Sequence, residues 1–117
     1  MTLRALKRRV VFAYQRLVRG WDDSDTWSLD YALAKQILPR LRRFRDLRGG
    51  GVPSRLLPCD SDKAIELAQA EWLAILDKMI AAFEYCAGEG QWDSFGDPPY
   101  VDEGLRLFAE YYRCLWT

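Results

Sequence analysis

The architecture of this chain depends most on one segment, WDDSDTWSLDYALAKQILPRLRRFRDL, residues 21–47. It opens with Ser24 among aspartates. Short side-chain oxygens accept hydrogen bonds from the free N–H groups of a helix N-terminus, and negative charge suits the dipole there. From Trp27 onward, apolar residues recur about every 3.6 positions. This pattern predicts a helix over about residues 25–48, with one buried side formed by Trp27, Tyr31, Ala34, Ile37, Leu38, Leu41 and Phe44.

A proline interrupts this helix without ending its apolar pattern. Pro39 lacks an N–H group, so the carbonyl of Lys35 loses its hydrogen-bond partner, and the ring crowds the preceding turn. The apolar residues continue at the same spacing on both sides of Pro39. We therefore expect helix 25–48 to be kinked at this residue and not divided into two.

Three further segments have helical periodicity, over about residues 2–19, 61–87 and 102–116. At 117 residues with 50% hydrophobic content, the chain is long enough to bury one core but not two. The sequence therefore predicts an all-α fold, a compact bundle of about four helices that forms a single domain over residues 1–117.

Each of these three segments carries apolar residues that we expect to face the core. In helix 2–19 they are Leu3, Leu6, Val10, Ala13, Tyr14, Leu17 and Val18. In helix 61–87 they are Ile65, Ala68, Trp72, Ile75, Leu76, Met79, Ile80, Phe83 and Cys86. In helix 102–116 they are Leu105, Phe108, Ala109, Tyr112, Leu115 and Trp116. Leu107 and Tyr111 fall on the other side of that helix, which would be covered on both faces in a homodimer.

The charges are unevenly distributed, although the formal net charge is zero. Residues 1–55 hold 13 Lys and Arg against 5 Asp and Glu, or +8, whereas residues 56–117 hold 4 against 12, or −8. A basic half is typical of a surface that binds nucleic acid or another anion. In a bundle the two halves can equally neutralise each other, and this is the favoured interpretation because surface ion pairs form easily.

The composition excludes several kinds of chemistry. The sequence contains no histidine, which rules out Ser–His and Cys–His nucleophiles, His-based acid–base catalysis and His metal ligands. Its three cysteines, Cys59, Cys86 and Cys114, form no close pair, unlike a disulfide framework or a zinc site, and indicate a reducing compartment. We therefore predict that the protein is not an enzyme and has no metal site and no cofactor.

No segment has the composition of a membrane anchor. No apolar run approaches the roughly 18 residues needed to span a bilayer. The N-terminal MTLRALKRRVVFAYQRL interleaves its cations with apolar residues, unlike a signal peptide. A basic amphipathic helix can also lie on a membrane surface, but most such helices dock on a protein core. The sequence therefore predicts no membrane partner.

A candidate binding surface lies on the polar side of helix 2–19. Phe12 projects there among Arg8, Arg16 and Arg19. An aromatic ring among guanidinium groups suits a nucleotide, whose base stacks on the ring while an Arg binds the phosphate. The same combination is typical of protein interfaces. It is also explained by a partly exposed Phe covered by arginine stems.

Further candidates lie on the second helix and in a loop. Arg40 and Arg43 occupy the polar arc of helix 25–48. Trp92 belongs to the polar loop EGQWDSFGDPPY, residues 89–100, whose aromatic side chains either pack down as a plug or contact a partner. The predicted ligand- or partner-binding residues are thus Arg8, Phe12, Arg16, Arg40, Arg43 and Trp92.

One acidic residue falls within the apolar arc of helix 25–48. Asp30 lies between Trp27 and Tyr31, and a carboxylate at a buried position needs a partner. The favoured interpretation is a buried polar contact that sets the helix register, and the alternative is a ligand-binding acid. Arg45 and Arg48 return to the same arc beyond Pro39 and are candidate contacts for an anionic ligand.

Three segments resemble a family of small, mostly uncharacterised bacteriophage and prophage proteins. They are W-S-L-D-Y-x-L-A-K-x-I-L-P-R-L-R-R-F at 27–44, E-W-x-x-I-L-D-K-M-I-x-A-F-E at 71–84 and G-L-x-L-F-A-x-Y-Y-x-x-L-W at 104–116. The resemblance implies a phage accessory protein that acts in the host bacterial cytoplasm, and it implies no catalytic residues. The first helix lies outside the matching segments.

Two functions are predicted from these observations. The first is a non-enzymatic phage factor that acts by binding, as an anti-defence protein that engages a host defence protein or sequesters its small nucleotide messenger. The alternative is a nucleic-acid-associated regulator of phage replication or transcription, whose basic helices contact the phosphate backbone.

Overall fold

The fold is all-α. A computed structural model describes residues 2–47, 51–57, 59, 61–89 and 96–116, and this part of the chain contains four α-helices and no strand. The helices are α1, Leu3–Arg19; α2, Leu29–Asp46; α3, Asp62–Cys86; and α4, Pro99–Tyr111. Short 3-10 helices span Asp23–Thr26, Ser54–Leu56 and Tyr112–Cys114. The predicted fold class and helix number are confirmed.

The chain divides into two compact units, an N-terminal unit, Met1–Leu33, and a C-terminal unit, Ala34–Thr117. Helix α2 begins in the first unit, and its residues from Ala34 onward belong to the second. The single domain predicted over residues 1–117 stays a prediction.

Helix α1 is defined by caps at both of its ends. The Thr2 hydroxyl accepts a hydrogen bond from the N–H of Ala5 at 3.1 Å. Gly20 ends the helix with φ at 83°, a left-handed conformation that glycine adopts without steric cost, and its N–H donates to the carbonyl of Arg16 at 2.9 Å. The predicted stripe of this helix is exposed, and no α1 residue is buried, so the prediction of a core face is wrong.

Helix α2 begins later than the sequence predicts. Ser24 and Asp25 lie in the 3-10 helix Asp23–Thr26, because Asp22 and Asp25 form a capping box there. The α-helix starts only at Leu29 and continues through Pro39 to Asp46 without dividing. The angle of the kink at Pro39 stays a prediction. Its buried residues are Ala34, Leu38 and Leu41.

The core of the C-terminal unit lies around Trp72, which is fully buried on α3. The periodicity of residues 61–87 predicts this face, and Ile75, Leu76 and Met79 are buried as expected, although Ile65 is exposed. The other core residues come from α2, from α4 and from the C-terminal end of α3: Ala34, Leu38, Leu41, Phe83, Ala87, Leu107 and Tyr111.

Helix α4 packs with a face that only partly matches the predicted one, because Phe108 and Leu115 of the predicted face do pack against the core. Val101, Gly104, Leu107 and Tyr111 are buried, whereas Tyr112 is exposed. The reason is Gly104, where a Cβ atom would overlap the Cβ of Ala82 and the carbonyl oxygen of Lys78 on α3. Because α3 and α4 can approach this closely only where α4 has no side chain, the side of α4 that carries Gly104 faces α3. Because Leu107 and Tyr111 are buried, they no longer support a homodimer, and the homodimer stays a prediction.

Across the described part of the chain, none of the helices combines the length and the apolarity that crossing a bilayer requires.

Candidate partner-binding surface on α1

The polar side of α1 faces the segment that follows it. After the turn at Gly20, residues 21–27 run back along the C-terminal half of the helix. The side chains that meet them are Gln15, Arg16 and Arg19. The two arginines near the C-terminus of α1 attract the carboxylates of this segment, and Gln15 adds hydrogen bonds to it.

Asp22 is the centre of this contact. It is the buried charged residue of the described chain, with 2% of its surface exposed. Its carboxylate accepts from the Ser24 backbone N–H at 2.8 Å, from the Ser24 hydroxyl and from the Arg16 guanidinium. The Ser24 hydroxyl bond, together with Arg16, holds the pKa of Asp22 below its usual value.

Asp23 makes a second set of contacts to the same helix. Gln15 Nε2 donates to Asp23 Oδ2 at 2.8 Å, and the backbone N–H of Asp23 donates back to Gln15 Oε1 at 2.8 Å. Arg19 donates to the other carboxylate oxygen at 2.6 Å. The Gln15 bond first and the Arg19 bond second lower the pKa of Asp23. The acidic part of the segment is therefore held by side-chain amide, guanidinium and carboxylate groups.

Aromatic contacts extend this face toward the middle of α1. Phe12 packs edge-to-face on Trp27 with ring centroids 5.6 Å apart. The Arg8 guanidinium lies 5.8 Å from the same ring, and the Arg19 guanidinium lies 3.8 Å from the ring of Trp21. Trp27 nevertheless remains 66% exposed, contrary to its predicted place on a buried side.

The opposite face of α1 is apolar and exposed. We call it the α1 stripe and define it by six residues that share one side of the helix. Its members are Leu3, Leu6, Val10, Tyr14, Leu17 and Val18. Leu3 and Leu17 are 87% and 86% exposed, close to the exposure of an unfolded chain. Helix α1 thus uses its polar face for contacts within its unit and leaves its apolar face unused.

The charge of α1 has one sign. The helix contains Arg4, Lys7, Arg8 and Arg9 in its first half and Arg16 and Arg19 in its last turns, with no acid anywhere in its sequence. Lys7 follows Leu3 by four residues and precedes Val10 by three, so it lies within the arc of the α1 stripe. The exposed surface is therefore an apolar stripe with cations in it and around it.

The predicted site residues that the structure describes are divided between the two units. Arg8, Phe12 and Arg16 share the N-terminal unit, but Arg16 binds Asp22 and Phe12 packs on Trp27. Arg40 and Arg43 are exposed on α2 in the C-terminal unit. Two predicted positions, Trp92 and Arg48, lie outside the described residues.

Asp30, predicted as a buried polar contact, is exposed, so that prediction is wrong. Sequence reasoning placed the buried acid eight positions too late and missed Asp22. Asp30 lies in the first turn of α2 on an exposed side of that helix, whereas Asp22 caps the 3-10 helix Asp23–Thr26. A signal was present, since Asp22 precedes Asp25 by three positions, the spacing of a capping box.

The basic half of the chain neutralises part of the acidic half within the C-terminal unit. Arg42 binds Glu89 at 2.6 Å and Glu84 at 3.1 Å, and both bonds raise its pKa. Arg45 binds Asp77 through two bonds of 2.9 and 3.3 Å. The interpretation of the charge asymmetry as internal pairing holds for these arginines, and Arg45 is therefore not a free contact for a ligand.

Comparisons with protein-family models, with curated proteins and with solved structures find no match for this chain. Membership of the phage family therefore stays a prediction.

Proposed function

We propose that the protein is a non-enzymatic binding protein whose α1 stripe occupies an apolar groove on a protein partner. One observation carries the proposal: α1 turns its polar face inward and its apolar face outward. A strongly amphipathic helix with an exposed apolar face is the form in which many helical ligands enter grooves on other proteins. Exposed apolar patches of this kind mark interaction sites.

The stripe is large enough to support specific binding. Burying one exposed Leu or Val side chain is worth about 1.5–3 kcal/mol, and α1 offers six stripe residues. Association itself costs on the order of 4–15 kcal/mol. A partner that covers most of the stripe can therefore bind with useful affinity, whereas a partner that covers one end cannot.

The charge of α1 restricts the chemistry of the partner. Two copies of α1 would bring like charges together, because the helix has cations and no acid. An apolar lipid layer would have to accommodate Lys7 within the stripe. An apolar groove with acidic residues near Lys7 and along its rim satisfies both the stripe and the cations. We therefore infer an acidic protein partner and no membrane partner.

The resemblance to phage proteins gives this partner a biological setting. On that resemblance, the partner is a component of host defence, and the protein acts as an anti-defence factor in the host bacterial cytoplasm. The protein partner is better supported than a nucleotide messenger, because Arg16 and Phe12 are engaged within the chain. A nucleotide at this position would have to displace Asp22 from Arg16.

Photo-cross-linking in host cells tests the proposal. We expect benzoylphenylalanine in place of Tyr14, which is on the stripe, to cross-link the full-length chain to a host protein. The substitution Val10→Asp should abolish that product, because it places a carboxylate in the middle of the apolar contact. Mass spectrometry of the product would then give the surface composition of the partner.

A matched variant separates loss of contact from change of charge. Ala5→Asp adds the same charge to the same helix at an exposed position outside the stripe, and it should leave the cross-link intact. Benzoylphenylalanine in place of Tyr100 on α4 controls for nonspecific capture. Equal products from Tyr14 and Tyr100, or a product that survives Val10→Asp, would refute the proposal.

A second candidate is a nucleic-acid-associated regulator, which the exposed cations Arg4, Lys7, Arg8 and Arg9 favour. Such binding would weaken steeply as salt increases, because each phosphate contact releases a counterion. A gel shift at low salt, repeated with Arg4→Gln and Arg8→Gln together, tests it. Absence of a retarded band with the unsubstituted chain would remove this candidate.

A further inference from the structure

An apolar groove lies in the C-terminal unit, between α2 and the end of α4. Its volume is about 330 Å³. Its apolar walls are formed by six side chains: Ile37, Leu41, Phe44, Phe108, Tyr112 and Leu115. This volume is at the lower end of the range for small-molecule sites, about 300–1,000 Å³. The groove therefore suits a ligand of one or two rings.

The rings of the groove are held in place by packing. Phe108 packs edge-to-face on Phe83 at 4.8 Å and on Tyr112 at 5.5 Å. Leu41 at the base is buried in the core, whereas Tyr112 is 62% exposed. The groove thus has a fixed apolar base and an open aromatic wall on which a planar ring can pack.

A single cation also lines the groove. Arg40 is exposed, and its Nη1 donates to the carbonyl of Gln36 at 2.7 Å. Arg42 and Arg45 on the same helix bind acids, but Arg40 has no acidic partner among the residues that the structure describes. A guanidinium has five N–H donors in a planar fork, so Arg40 retains donors for a carboxylate.

We propose that this groove binds a small aromatic carboxylate, with the ring against Phe108 and Tyr112 and the carboxylate on Arg40. Charge complementarity selects an anion, because the described lining residues of the groove include one guanidinium and no acid. A guanidinium binds a carboxylate through two parallel hydrogen bonds, which favours a carboxylate as the anion. The aromatic wall favours a ring as the other part of the ligand. This site does not depend on the α1 stripe.

Methyl and amide NMR titration of the full chain tests the proposal. Phenylpropionate should shift the signals of Ile37, Leu41 and Leu115, whereas phenylpropionamide, which has the same shape without the charge, should bind about tenfold more weakly. A hydrogen bond to a charged group at an exposed rim supports a difference of this size.

Two arginine variants complete the experiment. Arg40→Gln should lower the affinity for phenylpropionate to that for the amide and leave amide binding unchanged. Arg43→Gln removes the same charge from a neighbouring exposed position that does not line the groove, and it should change neither affinity. Equal affinities for acid and amide, an Arg40→Gln chain that still distinguishes them, or shifts that map away from the groove would each overturn the proposal.

Discussion

The two units of this protein are built by opposite rules. The C-terminal unit places apolar side chains around Trp72 and leaves its ion pairs at the surface. The N-terminal unit places Asp22 and its hydrogen bonds inside and leaves the α1 stripe outside. Apolar burial stabilises the first arrangement, whereas charge-assisted hydrogen bonds stabilise the second.

This contrast indicates where each unit is suited to binding. A helix that buries its apolar face has only its polar side left for a partner. Helix α1 has already used its polar side, so the surface that remains is apolar and can contribute directly to the free energy of association. The difference between the units therefore supports our proposal that the α1 stripe is a binding surface.

The largest expected effect is a change in the free energy of unfolding when the same substitution, Leu→Ala, is made in each unit. Leu76 is fully buried and Leu17 is 86% exposed. We expect Leu76→Ala to lower the free energy of unfolding of the C-terminal unit by about 2–5 kcal/mol, because it leaves a cavity. Leu17→Ala should change stability by no more than about 0.5 kcal/mol. Urea unfolding followed by the amide signals of α3 and α1 measures both.

If Leu17→Ala destabilised the chain as much as Leu76→Ala, the α1 stripe would belong to a core and the contrast between the units would fail.

A smaller effect is expected at the crossing of α3 and α4. In an ordinary helix, Gly→Ala stabilises by roughly 0.5–1 kcal/mol. At Gly104 the added methyl group meets Ala82 and the carbonyl of Lys78, so Gly104→Ala should instead destabilise by about 1–3 kcal/mol. The midpoint of urea unfolding measures the sign of the change.

The control for this prediction is the reverse substitution on the same helix. Ala109 is exposed, and Ala109→Gly should cost about 1 kcal/mol through helix propensity alone. An increase in the urea midpoint with Gly104→Ala would mean that the two helices can separate at this residue without loss.

The smallest expected effect is the loss of stability of the N-terminal unit at low pH. The folded chain holds the pKa of both Asp22 and Asp23 below the ordinary 3.8, so it favours their ionised forms. The stabilisation of the N-terminal unit is therefore fully present above 3.8 and is lost as pH falls through the lowered pKa values. NMR signals of α1 and residues 21–27 should change at a higher pH than the signals of the α3 core.

Asp22→Asn should loosen the contact between α1 and residues 21–27 already at neutral pH, which faster amide exchange would reveal. Asp30→Asn is the matched control, because Asp30 is an exposed acid of the same unit. Loss of both units at the same pH would show that Asp22 does not stabilise the N-terminal unit separately.

Most of the fold could be predicted from local chemistry. The end of α1 at Gly20 and the core face of α3 around Trp72 both follow from residue type and spacing. The inward face of α4 could not, because both of its sides are apolar and only the crossing at Gly104 chooses between them. Of the candidate site, Arg8, Phe12 and Arg16 lie on one side of α1, but the contacts of Arg16 with Asp22 and of Phe12 with Trp27 were not predicted, and their role in binding stays a prediction.

Local sequence accounts for the presence of the four helices, since periodicity, caps and breakers act over a few residues. It also determined the absence of histidine chemistry and the single sign of charge on α1. Which face of α1 and which face of α4 is packed follows from tertiary contacts. The reason is that periodicity defines the two faces of a helix, whereas packing depends on which groups outside the helix meet each face, here Asp22 and Asp23 for α1 and Ala82 for α4.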